Sequence, residues 1–460
     1  MTQQFDFSER MHTSNIRADF NRLDSLRVGV GGLWGLNSNL PVILDDLLDV
    51  AMAIYVVDRL SKRTRNEGYW RPRTLSLQIP VAEVNVFERL KPALECLLNW
   101  LTTDSWNLNF TSAVTSRRAR PAGSLYRPEM DRPFVGLYSG GLDSLAGAVA
   151  QALDPAFASG VLVGGQSGSR LRALQSKQLE LLEARLPHLH WAPFQGYAHP
   201  CKAHQLRDWH VREQSQEKSQ RSRAFLFLVF GAVTAHACGV DRLHVYENGV
   251  GAINLPYSAA FSGADQTRAM HPRTLLEAGA LFSALFGQPF KIVNTSLWRT
   301  KGEMCAQLVR HSLGDLVNLT VSCDSHPLRE AREQCGLCTS CLLRRLSLHA
   351  AGLRASDHAA ELYRDDIYTR PEHPQAQDRP YQFMQRQAHR FEALTRPGRG
   401  VEFRVEFEAL EEVRHAVAQT EGRSLPDTDA RLADLYRRYA LEFRNFSEAV
   451  RPRALELLSA

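Results

Sequence analysis

Phe134-Val135-Gly136-Leu137-Tyr138-Ser139-Gly140-Gly141-Leu142-Asp143-Ser144, running on into Leu145 to Leu153, is the stretch on which the fold turns. The first five residues are apolar or small and read as a short strand; Leu145 to Leu153 reads as a helix. The joining segment has the composition of an oxyanion cradle. Two glycines let the backbone approach an anion closely, because they carry no side chain and tolerate positive φ. Ser139 and Ser144 add hydroxyl donors, and the helix that follows turns its positive end toward the loop. Asp143 is unusual in such a place, since a carboxylate repels phosphate. A bridging Mg²⁺ removes that objection, as does a role in ordering the loop. The Gly-x-x-x-x-Gly-Lys-Ser/Thr signature of Walker-type sites is absent. No Gly-x-Ser-x-Gly elbow surrounds Ser139, so it is a poor candidate nucleophile. The plain alternative is an ordinary strand-to-helix turn.

Outward from this loop, short apolar strands alternate with longer helices as far as Leu353. Gly160 to Gly164 and Arg242 to Tyr246 read as strands; Arg172 to Leu186 and Phe225 to Ala237 read as helices. Such alternation implies an α/β domain with a parallel sheet, placed here at 134–354. Its functional loops belong beyond the carboxyl ends of the strands. Residues 1–116 read as a mixed α+β accessory module, with helices at Leu44–Val57 and Phe87–Leu101. Strands fall at Leu75–Ile79, ending at Pro80, and at Trp106–Phe110. The basic, Pro/Gly-bearing stretch that follows is expected to be a linker over 117–133. Residues 355–460 are charged and helical, with breaks at Pro371, Pro374 and Pro380 and helices over Glu406–Thr420 and Thr428–Leu458. No chemistry is legible in this accessory region.

Composition sets wide bounds. At 460 residues the chain has room for two to four domains, and 44% hydrophobic with 23% charged residues is ordinary for a globular protein. A net charge of +5 is too thin to mark a nucleic-acid protein. The most apolar stretch, Phe225 to Cys238, is 14 residues long and carries His236. A membrane span needs roughly 20, and the N-terminus lacks a signal-peptide core, so a soluble, cytoplasmic protein is expected.

Four of the eight cysteines, Cys323, Cys335, Cys338 and Cys341, fall within 19 residues at C-x11-C-x2-C-x2-C spacing. Two-residue gaps let one turn present successive sulfurs to a tetrahedral ion, and Gly336 permits a tight backbone there. A structural zinc site is expected. An iron–sulfur cluster uses the same four ligands but usually has different neighbours.

Ser139-Gly140-Gly141-Leu142-Asp143-Ser144 resembles the PP-loop of the N-type ATP pyrophosphatases, which cleave ATP between its α- and β-phosphates. The run Cys335-Gly336-Leu337-Cys338-Thr339-Ser340-Cys341-Leu342-Leu343-Arg344 resembles the zinc-binding end of the 7-cyano-7-deazaguanine synthase (QueC) family. Arg221-Ser222-Arg223-Ala224-Phe225-Leu226 is similar to the family's Arg-Asn-x-x-Phe-Leu, with Ser222 in place of Asn. Lys301-Gly302-Glu303-Met304 is similar to its Lys-x-Glu-Ile/Met. The likeness covers about residues 130–355, under half of the chain. The family's Tyr-Pro-Asp-Cys-Arg-type element is missing. Tyr246 to Pro256 and Thr267 to Pro272 instead resemble QueC-like proteins such as the QatC proteins of antiphage defence systems, which carry extra terminal regions.

The resemblance implies a HUP-type (adenine nucleotide alpha hydrolase-like) PP-loop domain with ATP, Mg²⁺ and Zn²⁺ as cofactors. It implies nucleotide contacts from Ser139, Gly140, Gly141, Leu142, Asp143, Ser144 and Arg221. Catalytic roles fall to Asp143, Ser144, Lys301 and Arg223, and metal ligation to Cys323, Cys335, Cys338 and Cys341. Glu247 and Asn248, at a strand's carboxyl end, are candidates to read a purine-like edge, with His271 as a further substrate residue. The implied activity is adenylation of a 7-deazaguanine carboxylate and its transfer to an amine, on ammonia or on a protein partner encoded nearby. Alternatives are a 7-cyano-7-deazaguanine synthase for tRNA or DNA modification, a non-catalytic nucleotide or modified-base sensor, and a direct nucleic-acid modifier, which the net charge does not favour. Weaker signals read blandly: Gly29 to Gly32 as a loop, Arg117-Arg118-Ala119-Arg120 as solvated linker, and His199, Cys201, His204 and His210 as loop residues.

Overall fold

Two parallel sheets organise the chain in the computed structural model, which describes residues 2–6, 41–66, 69–113, 130–165, 169–194, 217, 219–257, 267–324, 334–357, 362–368 and 379–450. Gly29 to Gly32, Arg117 to Arg120, most of the expected linker, and His199, Cys201, His204 and His210 lie outside these residues. No described helix is long and apolar enough to cross a membrane.

The first sheet is built from β1 (Thr2–Asp6), β4 (Thr74–Val81) and β5 (Ser105–Ser112) in the order β1-β4-β5. Helices α1 (Val42–Leu60) and α2 (Val84–Thr102) connect them, with a small antiparallel ribbon of β2 (Arg65–Asn66) and β3 (Tyr69–Trp70). Strand β4 does not stop at Pro80. Its pairing with β1 ends at Gln78 while its pairing with β5 runs on to Val81. Among the described residues, Pro80 therefore falls on a flank where no ladder bond is lost. The outer edge of β5 is covered by side chains of α2. Asn99, Glu95 and Glu88 accept the N–H groups of Trp106, Leu108 and Phe110 at 2.8, 2.7 and 3.1 Å. Acceptors four and seven residues apart share one helix face, and here they blunt an edge that could otherwise template pairing.

The second sheet has the order β10-β9-β6-β7-β8, all parallel. Its strands are β6 (Pro133–Leu137), β7 (Ser159–Gly165), β8 (Leu189–Phe194), β9 (Arg242–Val245) and β10 (Lys291–Asn294). The helices between and after them are α3 (Leu142–Ala152), α4 (Ser169–Arg185), α5 (Arg223–Ala237), α6 (Gly249–Ile253), α7 (Pro272–Phe286), α8 (Lys301–Arg310) and α9 (Thr339–Ala350). From β6 the chain first builds outward through β7 and β8, then returns to add β9 and β10 on the other side. The order reverses between β6 and β9, and such a switch point opens a crevice at the strands' carboxyl ends. The loops after β6 and β9 therefore face each other.

The described residues of the N-terminal module pack against the central sheet. Leu48, Ile54 and Phe87 share one apolar cluster with Phe225, Val229 and Phe282. A buried polar seam closes the same interface. Asp58 accepts Arg73 Nη2 at 2.5 Å and both the backbone N–H and hydroxyl of Ser222 at 2.9 and 2.8 Å. Asp104 takes Arg63 and Arg73, each at 2.6 Å. Burial alone would raise the Asp58 carboxyl, but Arg73 and Ser222 outweigh it and hold it below the usual range.

The C-terminal residues form α10 (Arg379–Leu394), α11 (Gly400–Glu406), α12 (Leu410–Glu421) and α13 (Leu425–Val450). The helix expected from Glu406 is two helices, with Glu406 ending the first. The last helix starts ahead of Thr428, and Leu458 lies outside the described residues. Phe391, Phe403, Tyr436 and Phe443 pack there against Leu342 and Leu346 of α9.

Candidate functional site

The loop after β6 is held in shape from behind. Gly140 has φ +84°, a left-handed conformation that glycine adopts without strain. The Ser139 hydroxyl donates to Ser144 Oγ at 3.1 Å and accepts from the Gly141 N–H at 3.2 Å, while Ser144 Oγ donates to the Gly141 carbonyl at 2.9 Å. Two amides on α4 draw the loop's carbonyls backward. Gln178 Nε2 reaches the Gly140 carbonyl at 2.9 Å, and Gln175 Nε2 reaches that of Ser139 at 3.2 Å. Tyr138 donates to Gln178 Oε1 at 2.8 Å, fixing that amide's orientation. The first N–H groups of α3 have no intrahelical partner, and Leu142, Asp143 and Ser144, which carry them, line the cavity described below.

Asp143, Asn248, Glu247 and Lys301 meet across the switch point. Lys301 Nζ lies 2.5 Å from Asp143 Oδ2, and Asn248 Nδ2 donates to Asp143 Oδ1 at 3.2 Å and to Glu247 Oε1 at 3.0 Å. Asn248 Oδ1 accepts the Gly251 N–H at 2.9 Å, capping α6. Burial lowers the affinity of Lys301 for its proton, but Asp143 and Glu247 more than compensate and keep it charged. Burial first, then the neighbouring Asp143 charge, raises the Glu247 carboxyl above the usual range, against the pull of Lys301. The repulsion between Asp143 and a bound anion is thus met by the Lys301 ammonium.

Lys301 is the first residue of α8, whose start is doubly secured. Thr300 and Glu303 form a capping box with bonds of 3.1 and 2.9 Å. Helix α13 grips both members: the Thr300 hydroxyl donates to Glu442 Oε1 at 2.5 Å, and Arg438 pairs with Glu303.

These groups open onto a cavity of about 640 Å³. Ser139, Asp143, Glu247 and Lys301 line it, and so do Thr339 and Ser340 at the start of α9. The N-termini of α3, α8 and α9 therefore converge on one space, and their dipoles add favourably for an anion. Gln387, Tyr436 and Tyr439 from the C-terminal helices, with Tyr257 from the segment after α6, complete the wall. Sequence reasoning missed these four, together with Gln175 and Gln178.

The cysteine cluster adjoins the cavity. The Sγ atoms of Cys323, Cys335, Cys338 and Cys341 all lie within 4.8 Å of one another, and those of Cys335 and Cys341 are 3.9 Å apart. Tetrahedral zinc with bonds near 2.3 Å sets sulfurs roughly 3.8 Å apart, so these four could hold a zinc ion. Backbone N–H groups point at the sulfurs, from Cys338 to Cys335 Sγ at 3.3 Å and from Cys341 to Cys338 Sγ at 3.4 Å. Gly336 has φ +86°, and a Cβ there would stand 1.8 Å from the Asp365 carbonyl oxygen. The fully buried Arg344 ties the surrounding segments together through Thr320, Asp357 and Tyr363 at 2.5, 3.0 and 2.8 Å.

Three sequence candidates are not gathered at the cavity. Arg221 donates to Thr103 Oγ1 at 3.0 Å, at the seam with the first sheet. Arg223 reaches Gln220 at 3.4 Å and lies 5.7 Å from the Phe227 ring. His271 caps α7, its Nδ1 accepting the Arg273 N–H at 3.2 Å, and its ring meets that of Trp100 at 5.1 Å. Arg221 and His271 are taken up by packing between modules, and Arg223 by neighbours on its own helix and the turn before it. Asn248 is at the site but 0% exposed, so it orients Asp143 and Glu247 rather than offering an edge to a ligand. No family model matches the chain, and no curated protein matches it either.

Proposed function

We propose that this protein is an ATP-dependent ligase of the PP-loop type that adenylates a heteroaromatic carboxylate, a 7-deazaguanine acid, and transfers the acyl group to an amine. The observation that carries the reading is the glycine loop at the sheet's switch point, opening onto a cavity where Lys301 pairs with Asp143. The loop's free N–H groups and the Lys301 ammonium would bind the β- and γ-phosphates. Each Asp143 oxygen has one partner, which leaves a lone pair on each for a Mg²⁺ arriving with the nucleotide. The substrate carboxylate oxygen attacks the α-phosphorus, the bond to the bridging oxygen of pyrophosphate breaks, and the amine then displaces AMP. The protein's part is orientation and neutralisation of developing charge by groups already in place. The zinc that the four cysteines could hold would be structural, fixing the start of α9 at the cavity rim. A protein amine as acceptor and a role in antiphage defence are what the resemblance to QueC-like defence proteins implies.

The test is pyrophosphate release from ATP on addition of a 7-deazaguanine carboxylate. Acid-stimulated release by the intact protein, lost in Asp143→Ala, is expected. Release that is absent from the intact protein even with neighbouring gene products supplied would overturn the reading.

A further inference from the structure

Gln178 of α4 holds two separate segments with one side-chain amide. Its Nε2 donates to the Gly140 carbonyl of the loop at 2.9 Å and to the Leu319 carbonyl at 2.5 Å, which uses both amide hydrogens. Tyr138 donates to its Oε1 at 2.8 Å and so fixes which way the amide faces. Gln178 and Tyr138 are each 1% exposed, so the amide acts on a ligand through the loop and not by touching it. The Gly140 carbonyl and the Gly141 N–H belong to one planar peptide, and a hold on the first fixes the second. Ser139 and Gly141, on either side of Gly140, line the cavity.

Leu319 ends a 3₁₀ turn, Gly314–Leu319, from which the chain runs past Val321 and Ser322 on the cavity wall to Cys323. This strut is tied to the surroundings of the cysteine cluster. Arg344 donates to the Thr320 hydroxyl at 2.5 Å, and the Ser322 N–H donates at 3.1 Å to Oε1 of Gln334, the neighbour of Cys335. The Cys335 N–H points back at Cys323 Sγ at 3.4 Å. At the far end, Arg185 of α4 pairs with Asp315 of the turn through two bonds of 2.8 and 2.6 Å. Gln178 thus joins a strut anchored at the cysteines to the loop at the switch point.

We propose that Gln178 is a positioning residue that couples the four-cysteine cluster to the loop, so that a metal in the cluster and a phosphate chain at the loop each strengthen binding of the other. Four thiolates within 4.8 Å of one another repel unless a cation neutralises them. Their separation would move Cys323 and the strut, and the amide could then no longer serve Leu319 and Gly140 together. A coupling free energy of this kind acts equally in both directions. The inference rests on the reading above in taking the loop's ligand to be a nucleotide.

Zinc affinity of the full chain is measured by competition with a chromophoric chelator, with and without saturating Mg-ATP, and ATP affinity of the zinc-loaded chain by calorimetry. In wild type, ATP should raise zinc affinity about tenfold. In Gln178→Met, ATP should bind about tenfold more weakly and, once saturating, leave zinc affinity unchanged. An ATP effect undiminished in the variant would come from stabilisation of the whole fold and overturns the role of Gln178. If circular dichroism shows that variant unfolded, Tyr138→Phe takes its place, removing only the hydroxyl that orients the amide. The ATP effect on zinc should be smaller in it than in wild type, and an equal effect overturns the inference. Wild type that binds ATP with no change in zinc affinity overturns the coupling and leaves the adenylation reading standing. Wild type that binds no ATP overturns both.

Discussion

Lys301 Nζ stands 2.5 Å from Asp143 Oδ2, joining the first residue of α8 to the second residue of α3 across the switch point of the sheet. The side chains are 7% and 12% exposed, so the pair is nearly dry. Breaking such a pair strands a buried charge, at a cost of about 3–5 kcal/mol. Lys301→Met and Asp143→Asn should each destabilise by an amount in that range in urea unfolding. The double variant should recover part of the loss, because neither charge is then left alone. Activity should not recover. Pyrophosphate release should stay down by about 10²–10³-fold in all three, as expected when a preorganised charge stabiliser is removed. Recovery of release in the double variant would show the pair to be structural.

Metal loading is the second expectation. The purified chain should carry about one zinc per molecule by elemental analysis, since the four sulfurs are gathered within 4.8 Å of one another. Cys338→Ser should lose it and unfold at lower denaturant, because metal binding free energy is folding free energy at such sites. The same loss should follow prolonged chelation of wild type. An iron content with visible absorption would instead assign an iron–sulfur cluster.

His271 predicts a pH dependence. Burial, and then the Arg268 and Arg273 guanidiniums, pull its pKa from an ordinary 6.5 down to about 3. The folded form therefore keeps it neutral, consistent with Nδ1 accepting the Arg273 N–H. A depressed histidine contributes stability that is fully present above pH 6.5 and lost as pH falls toward 3. One proton taken up on unfolding gives a slope of at most about 1.4 kcal/mol per pH unit. Urea midpoints at pH 7, 6 and 5 should fall less steeply in His271→Asn, which keeps a capping acceptor. Equal slopes in the two proteins would remove His271 from the account.

What could be read in the sequence was what is local. Strand-helix alternation in 134–353 announced a parallel sheet because each strand buries a short apolar run. The loop at Ser139 to Ser144 was legible because its glycines and hydroxyls are contiguous. Glu247 and Asn248 were recognisable as strand-end residues, but Asn248's commitment to Asp143 depends on β9 lying beside β6, which no local pattern encodes. Gln387, Tyr436 and Tyr439 were invisible for a similar reason: on their own helices they are ordinary members of apolar stripes. His271 could have been placed better. A polar residue directly before a proline that opens a helix is a capping position, and Pro272 marks the first turn of α7.

The seam at Asp58 makes the last prediction. Its carboxylate is 0% exposed and bonded to Arg73 and Ser222, and Asp104 bridges Arg73 to Arg63. Arg73→Met leaves two buried carboxylates short of a partner, so a loss of about 3–5 kcal/mol is expected. Asp58 and Ser222 stand on opposite sides of the boundary between the first sheet and the central one. Because Leu48 and Phe87 also share a core with Phe225 and Phe282, both sides should unfold together. Circular dichroism and the fluorescence of a variant in which Trp106, buried in the first sheet, is the one tryptophan kept should report one coincident transition with and without Arg73→Met, shifted to lower urea when Arg73 is replaced. Two separated transitions would mean that residues 1–116 form an independent folding unit.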